Sequence, residues 1–367
     1  MNSYEKFDLK RVINASGKMT ILGVSKVSDA VAQAQKEAGQ SFFEMQALVE
    51  KSGQYIAKLL SVENATVVSS ASSGIALSIA AIIGQGQEYN IYNPYSSKIQ
   101  KREIVMPKGH NVNYGTGVEV MIQVGGGKLV EAGWANECLQ TQVEMEITEN
   151  TAALLYIKSH HTVQKSMLSV KEMQEVALKY NLPLIVDAAA EEDLQTYYQQ
   201  GADLVIYSGA KAIEAPTSAM VIGRNPYIPW IQKQNKGLGR AMKIGKENIV
   251  GLVAALELYL ANGNESKESM LQRLHPFVDK INEIKGLEAS IVQDAAGREI
   301  YRARVKVTSD QTTAVEVIQK LKQGRLAIYT REYQANNGII EFDIRAVNQE
   351  EMLDIERKLK EVMEAIV

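Results

Sequence analysis

The sequence predicts an α/β architecture: a doubly wound, mostly parallel sheet of seven strands, followed by a smaller α+β domain. Three observations predict it. Between Thr66 and Arg224, seven short apolar runs alternate with helix-like stretches. The runs are continuous rather than alternating, the pattern of strands buried on both faces of a parallel sheet. After Asn225 the rhythm changes to paired strands and fewer helices. A chain of 367 residues is also too long for one ordinary core and suits two domains.

The seven runs are Thr66–Ser69, Ile104–Met106, Leu129–Glu131, Ala153–Ile157, Leu182–Val186, Leu204–Tyr207 and Ala219–Ile222. The hydroxyl-rich stretch from Ser69 to Gly74 opens a helix over Ile75–Ile83. Ser169 and Glu172 have the spacing of a capping box, starting a helix that ends near Tyr180. Asn248–Leu260 reads as one long helix linking the domains. Beyond it, Ala289–Val292 and Ile300–Val307 read as strands paired around Ala295-Ala296-Gly297. A helix over Ala314–Lys322 is stopped by Gly324, and a second hairpin is expected to turn at Asn336-Asn337-Gly338. Asn348 and Glu351 cap the last helix, so the small domain reads ββαββα. Residues 1–60, helical at Val27–Lys36 and Phe43–Leu59, are expected to pack with that domain. The expected divisions are therefore 1–60, 61–245 and 246–367.

Hydrophobic residues at 46% and charged residues at 23% are ordinary for a soluble protein. A net charge of -3 advertises neither nucleic acid nor an anionic membrane as partner. The one cysteine, Cys138, excludes an internal disulfide and a cysteine-rich metal site, and no metal-binding HExxH spacing occurs. The stretch Met1–Arg11 is charged and polar, and the apolar run Ile249–Ala261 is interrupted by Glu257 and too short for a bilayer. A cytoplasmic location is the expectation.

Chemistry concentrates at the predicted strand ends. Lys211 stands just beyond Leu204–Tyr207, where open α/β sheets bind ligands. A lysine there suits an aldehyde cofactor such as pyridoxal phosphate, as imine partner and as the base that moves a Cα proton. Read by itself it is equally a solvated surface lysine. Asp187 ends the apolar run Leu184–Val186, and a carboxylate there needs a cation. A protonated pyridine nitrogen would serve, although such an Asp can equally cap a helix or hold magnesium. The loop Ser70–Gly74 offers backbone amides at a helix start for a phosphate, with Ser208 adding a hydroxyl. His160 and His161 follow the run Ala153–Ile157, so one of them can face the same sheet edge. His110 follows Ile104–Met106 and is a candidate to stack on a cofactor ring, whereas His275, beside Pro276, reads as structural.

This order of anion loop, histidine, strand-end Asp and Ser-Gly-x-Lys resembles the fold-type-I pyridoxal-phosphate enzymes. More narrowly, the chain resembles the selenocysteine-synthase-like group and its ammonia-lyase branch. The passages that carry the resemblance are Val12–Gly17, Ser159-His160-His161, Val186–Glu191, Tyr207–Glu214 and Ile328–Tyr333 through Asp343-Ile344-Arg345. The resemblance implies Lys211 as the Schiff-base lysine and Asp187 as partner of the pyridine nitrogen. It places Ser72, Ser73, Gly74 and Ser208 at the phosphate. Arg331 and Arg345 would take a substrate carboxylate, with Lys18, Arg102 and Lys158 as candidates for a substrate phosphate. It implies loss of water and then ammonia from a phosphorylated 2-amino sugar acid such as D-glucosaminate 6-phosphate. One of His160 and His161 would protonate the leaving hydroxyl, and a homo-oligomer would build its sites at the subunit interface. Ala215 and Ala219 depart from the glycines expected around Pro216-Thr217-Ser218.

Two rivals share the scaffold. Selenium transfer on a tRNA is disfavoured by the lack of a basic patch and of an additional N-terminal RNA-binding domain. A non-catalytic, cofactor-binding homologue is disfavoured by the presence of both Lys211 and Asp187.

Overall fold

The computed structural model describes residues 2–159, 161–294 and 299–366. Its strands are β1 (Arg11–Ala15), β2 (Asn64–Val68), β3 (Glu103–Pro107), β4 (Lys128–Ala132), β5 (Thr151–Ile157) and β6 (Leu184–Asp187). They continue with β7 (Leu204–Ser208), β8 (Ala219–Gly223), β9 (Leu287–Gln293), β10 (Tyr301–Val307), β11 (Leu326–Thr330) and β12 (Ile339–Phe342). Contacts divide the chain into one unit of Met1–Lys26 with Asn262–Val367 and another of Val27–Ala261.

All seven predicted runs enter one sheet of the larger unit, in the order β2-β8-β7-β6-β5-β3-β4. Its centre is parallel, while β8 runs antiparallel to both β7 and β2. Alternate residues feed two separate cores. Leu154, Tyr156, Val186, Val205 and Tyr207 pack on one face under helices Met45–Leu60, Val170–Tyr180 and Lys246–Asn262. Leu155, Ile157, Ile185, Leu204 and Ile206 pack on the other against helix Ala71–Gly84. Burial on both faces is why the runs lack period-two alternation.

The division between units differs from the expectation at residues 60 and 245. Helix Met45–Leu60 buries Ile56, Ala57 and Leu60 in the core of the larger unit, and Ile249, Leu252, Ala255 and Leu256 of helix Lys246–Asn262 join them. Of the first 60 residues, Met1–Lys26 belong with the C-terminal part.

In the smaller unit β9 and β10 pair antiparallel as expected, and β12 pairs with the other side of β10. The expected turn residues Ala295-Ala296-Gly297 lie outside the described residues. The Asn336-Asn337-Gly338 turn forms, with Gly338 left-handed at φ 77°, but it does not join an ordinary hairpin. The strand before it, β11, pairs parallel with β1 instead, leaving a single bridge between Arg331 and Glu341. Helix Lys267–Asn282, absent from the sequence reading, contributes Leu274, Phe277, Val278 and Ile281 to this core. Among the described residues no helix is long and apolar enough to cross a membrane.

Candidate active site

Strands β3, β5, β6 and β7 run parallel, so their carboxyl ends share one edge of the sheet. Asp187 closes β6, in register with Ile157 of β5 and Ile206 of β7. Its Oδ1 accepts from the Ala189 amide at 3.2 Å. Burial pushes its pKa up to about 6, against the charge of Lys211 and that one amide bond. Lys211 is therefore close enough to act on Asp187 through space, yet the pair leaves the carboxyl short of stabilisation.

Beyond Ser208 the chain folds into turns: Lys211 N donates to Ser208 O at 3.4 Å, and Ala215 N to Gly209 O at 2.8 Å. The left-handed residue of this segment is Glu214, at φ 57°, not either alanine. Ala215 is buried, and Ala219 opens β8 opposite Ser208 and Val68. Both alanines thus fit positions where the resemblance led us to expect glycine.

The anion loop becomes the start of helix Ala71–Gly84, capped by Ser70. Ser73 belongs to that cap: its Oγ accepts from Ser70 N at 2.9 Å and donates to Ser70 O at 2.7 Å. Its hydroxyl is thereby taken up within the chain. Gly74 answers to packing, because a Cβ there would lie 2.9 Å from Ile206 Cγ2. Its absence lets the helix start approach β7 directly beside the register partner of Asp187. Ser72 follows Ala71 in the first turn, and the amides of both have no intrahelical acceptor there.

Tyr114, which the sequence reading passed over, donates to Ser72 Oγ at 3.2 Å. Its signal in the sequence was an aromatic between turn formers, Asn113-Tyr114-Gly115, just past a strand at this edge.

His110 is fully buried, 4.5 Å edge-to-face from Tyr156, and presents no surface for ring stacking. Its Nδ1 accepts from Ile157 N at 3.4 Å, while Nε2 has no partner among the described residues. Burial, aided by the Lys158 charge, lowers its pKa to about 4, so the ring is neutral. His161 is exposed, its amide donating to Ser159 Oγ at 3.2 Å, and His160 lies outside the described residues. Lys158 Nζ donates to Gln164 at 3.1 Å. Arg102 does not serve this edge: it precedes β3 and binds the carbonyls of Ile99, Pro94, Gly126 and Ser96.

In the smaller unit, the ends of β1, β11 and β12 gather Gly17, Arg331, Asp343 and Arg345. Arg345 grips Asp343 with two bonds, Nε to Oδ1 at 2.9 Å and Nη2 to Oδ2 at 2.8 Å. Arg302 adds a third at 3.2 Å and also binds Asp294 at 2.8 Å. Arg331 is held more loosely, its Nε 3.7 Å from Glu341 Oε2 with no hydrogen bond, and its guanidinium 5.1 Å from the Tyr333 ring. Lys18, half-buried, follows Gly17 on the loop after β1.

A family described as "SelA: L-seryl-tRNA selenium transferase" matches residues 12–316. The chain belongs to this SelA family. It is 47% identical over 365 residues to a D-glucosaminate-6-phosphate ammonia lyase from Salmonella typhimurium (strain 14028s / SGSC 2262), covering 99% of this chain and 98% of that one. A 5'-C-glycyluridine monooxygenase-decarboxylase from a Streptomyces species is 33% identical, covering 98% and 92%. A solved D-glucosaminate-6-phosphate ammonia-lyase superposes with a TM-score of 0.95 at 46% identity, covering 100% and 99%.

The fold is that of the fold-type-I pyridoxal-phosphate enzymes, shared with a serine palmitoyltransferase solved with pyridoxal phosphate at 14% identity and a TM-score of 0.56. The donor set at the large sheet's edge fits that group. Asp187 is a half-buried carboxyl with a raised pKa, a lysine lies within its electrostatic reach, and a helix start with a serine hydroxyl stands alongside.

Proposed function

We propose that this chain is an ammonia-lyase that converts D-glucosaminate 6-phosphate to 2-keto-3-deoxygluconate 6-phosphate. The observation that carries the proposal is 47% identity along 99% of the chain to the Salmonella ammonia lyase. When bound, pyridoxal phosphate supplies an electron sink for the pair left behind as the Cα–H bond breaks. Lys211 would hold the cofactor and take the Cα proton. Asp187 would supply the anion that keeps its pyridine nitrogen protonated. Ser72, Ser208 and the amides of Ala71 and Ser72 would hold the phosphate. Arg331 binds the substrate carboxylate, with Arg345 and Lys18 near it in the chain's smaller unit. His160 or His161 gives a proton to the β-hydroxyl, which departs as water. The enamine so released tautomerises and takes up water, and ammonia leaves, so the net loss is ammonia.

A homo-oligomer with sites at the subunit interface belongs to this reading, and exposed Phe42, Phe43 and Met45 support it. A cytoplasmic location also belongs to it, supported by a single buried thiol, Cys138.

The test is keto-acid and ammonia release from a panel of phosphorylated and free 2-amino sugar acids. Equal release of both, from the phosphorylated acids alone, is expected. Silence across the panel, with selenium transfer to seryl-tRNA instead, would overturn the proposal.

A further inference from the structure

Tyr114 has no part in the reaction as set out above. Its loop leaves β3 through the turn Lys108–His110 and closes on itself before helix Val118–Val124. Asn113 and Gly117 form a bridge, Tyr114 N donates to Thr116 O at 3.1 Å, and Gly115 N donates to Asn113 Oδ1 at 2.9 Å. Asn111 ties the base of the loop to Glu131 of β4 at 3.1 Å. Held in this way, Tyr114 keeps 38% of its surface exposed while its hydroxyl reaches inward to Ser72.

We propose that Tyr114 is a latch on the cofactor phosphate, its hydroxyl passing from Ser72 Oγ to a phosphate oxygen when pyridoxal phosphate lies at the start of helix Ala71–Gly84. The proposal rests on the phosphate being bound there. Ser72 is the second residue of a 14-residue helix, where amides and the helix dipole attract an anion. A phosphate oxygen that takes a bond from Ser72 therefore comes within reach of the group already bonded to Ser72. The donor also stays protonated. Burial pushes the Tyr114 pKa up, the Ser72 bond opposes this, and the charge of Asp187 adds to the rise. A neutral phenol donates to phosphate, whereas a phenolate would repel it.

The experiment titrates apo-enzyme with pyridoxal phosphate and, separately, with pyridoxal, following the visible absorbance of the lysine-bound cofactor. Tyr114→Phe should weaken pyridoxal phosphate by about tenfold to a hundredfold, the range for one hydrogen bond to a charged group. Affinity for pyridoxal should not change. Equal weakening of both ligands would make Tyr114 a structural or ring contact and overturn the latch, as would no change in either. Ser72→Asp tests the underlying phosphate site. It puts a carboxylate where the helix tolerates one but a phosphate would be repelled. Loss of the preference for pyridoxal phosphate in Ser72→Asp but not in Tyr114→Phe defeats the latch alone. Retention of that preference in Ser72→Asp defeats the phosphate site and the latch with it.

Discussion

Asp187 and Asp343 each close an apolar strand, one in each unit, and their acidities move in opposite directions. Burial pushes both upward. At Asp343 the hydrogen bonds and charge of Arg345, with the charge of Arg302, outweigh burial and hold the pKa at about 2. Asp187 has one amide and the charge of Lys211, and it rests at about 6. Asp343 is satisfied by its own chain and pins the smaller unit. Asp187, only partly buried, has fewer partners within its own chain, so its carboxyl stays above the ordinary range.

The largest effect expected is at the cation facing Asp187. Lys211→Ala should abolish turnover and the visible absorbance of bound cofactor, with the circular dichroism of the fold retained. A borohydride-reducible cofactor adduct in that variant would show that another residue holds the cofactor.

Asp343→Ala should remove about 3–5 kcal/mol from the unfolding free energy, because it leaves Arg302 and Arg345 without their shared carboxylate. Urea unfolding measures this. The pKa of Asp343 is lowered on folding, so its contribution is full above the ordinary value of 3.8 and fades as pH falls toward 2. The gap between wild type and variant should narrow by about 2.5 kcal/mol over that window. A gap constant down to pH 2 would contradict the pairing.

Asp187→Asn should behave in the reverse sense in the apo-protein. A pKa raised to about 6 favours the folded state below 3.8, and that gain is lost as pH rises through 6. The variant should be more stable than wild type at pH 7.5, by up to about 3 kcal/mol, and no more stable at pH 4. Addition of pyridoxal phosphate should shrink the difference, since the cofactor supplies the missing cation. Elimination activity should fall steeply in the same variant, because a neutral amide does not hold the pyridine nitrogen protonated.

The two carboxylates also differ in how far the sequence revealed them. Asp187 stood out as a lone charge after Leu184-Ile185-Val186, and the strands of its sheet were readable as short apolar runs, the central ones because burial on both faces leaves an unbroken apolar signature. The surroundings of Asp343 were hidden. Pairing of β1 with β11 joins residues more than 300 positions apart, and no local pattern specifies such a partner. Without that pairing, the Asn336-Asn337-Gly338 turn looked like an ordinary hairpin. Helix Lys267–Asn282 did carry the apolar spacing Met270, Leu274, Phe277, Val278, Ile281, but Pro276 within it obscured the pattern. Ser73 and Gly74 also have local roles that the sequence did not separate from phosphate binding. A serine cap and a glycine admitted by close packing carry the same letters as a phosphate loop.

The smallest effect separates two arginines that the sequence treated alike. Arg345 has its planar fork closed on Asp343, so its removal should act on stability in the manner of Asp343→Ala. Arg331 is different. Among the described residues its Nε makes no hydrogen bond, and Glu341 beside it receives two bonds from Arg304 on its other oxygen, at 3.0 and 2.6 Å. An anionic substrate group would find donors at the Arg331 guanidinium, which Glu341 holds only loosely. Arg331→Ala should therefore reduce kcat/KM by about 1–3 kcal/mol, mainly through KM, and leave the melting temperature and cofactor absorbance unchanged. Arg331→Lys should recover only part of the loss, since an ammonium cannot reproduce the fork. Unaltered kinetics with a lowered melting temperature would make Arg331 a strut for Glu341, and the smaller unit would then hold its arginines for structure alone.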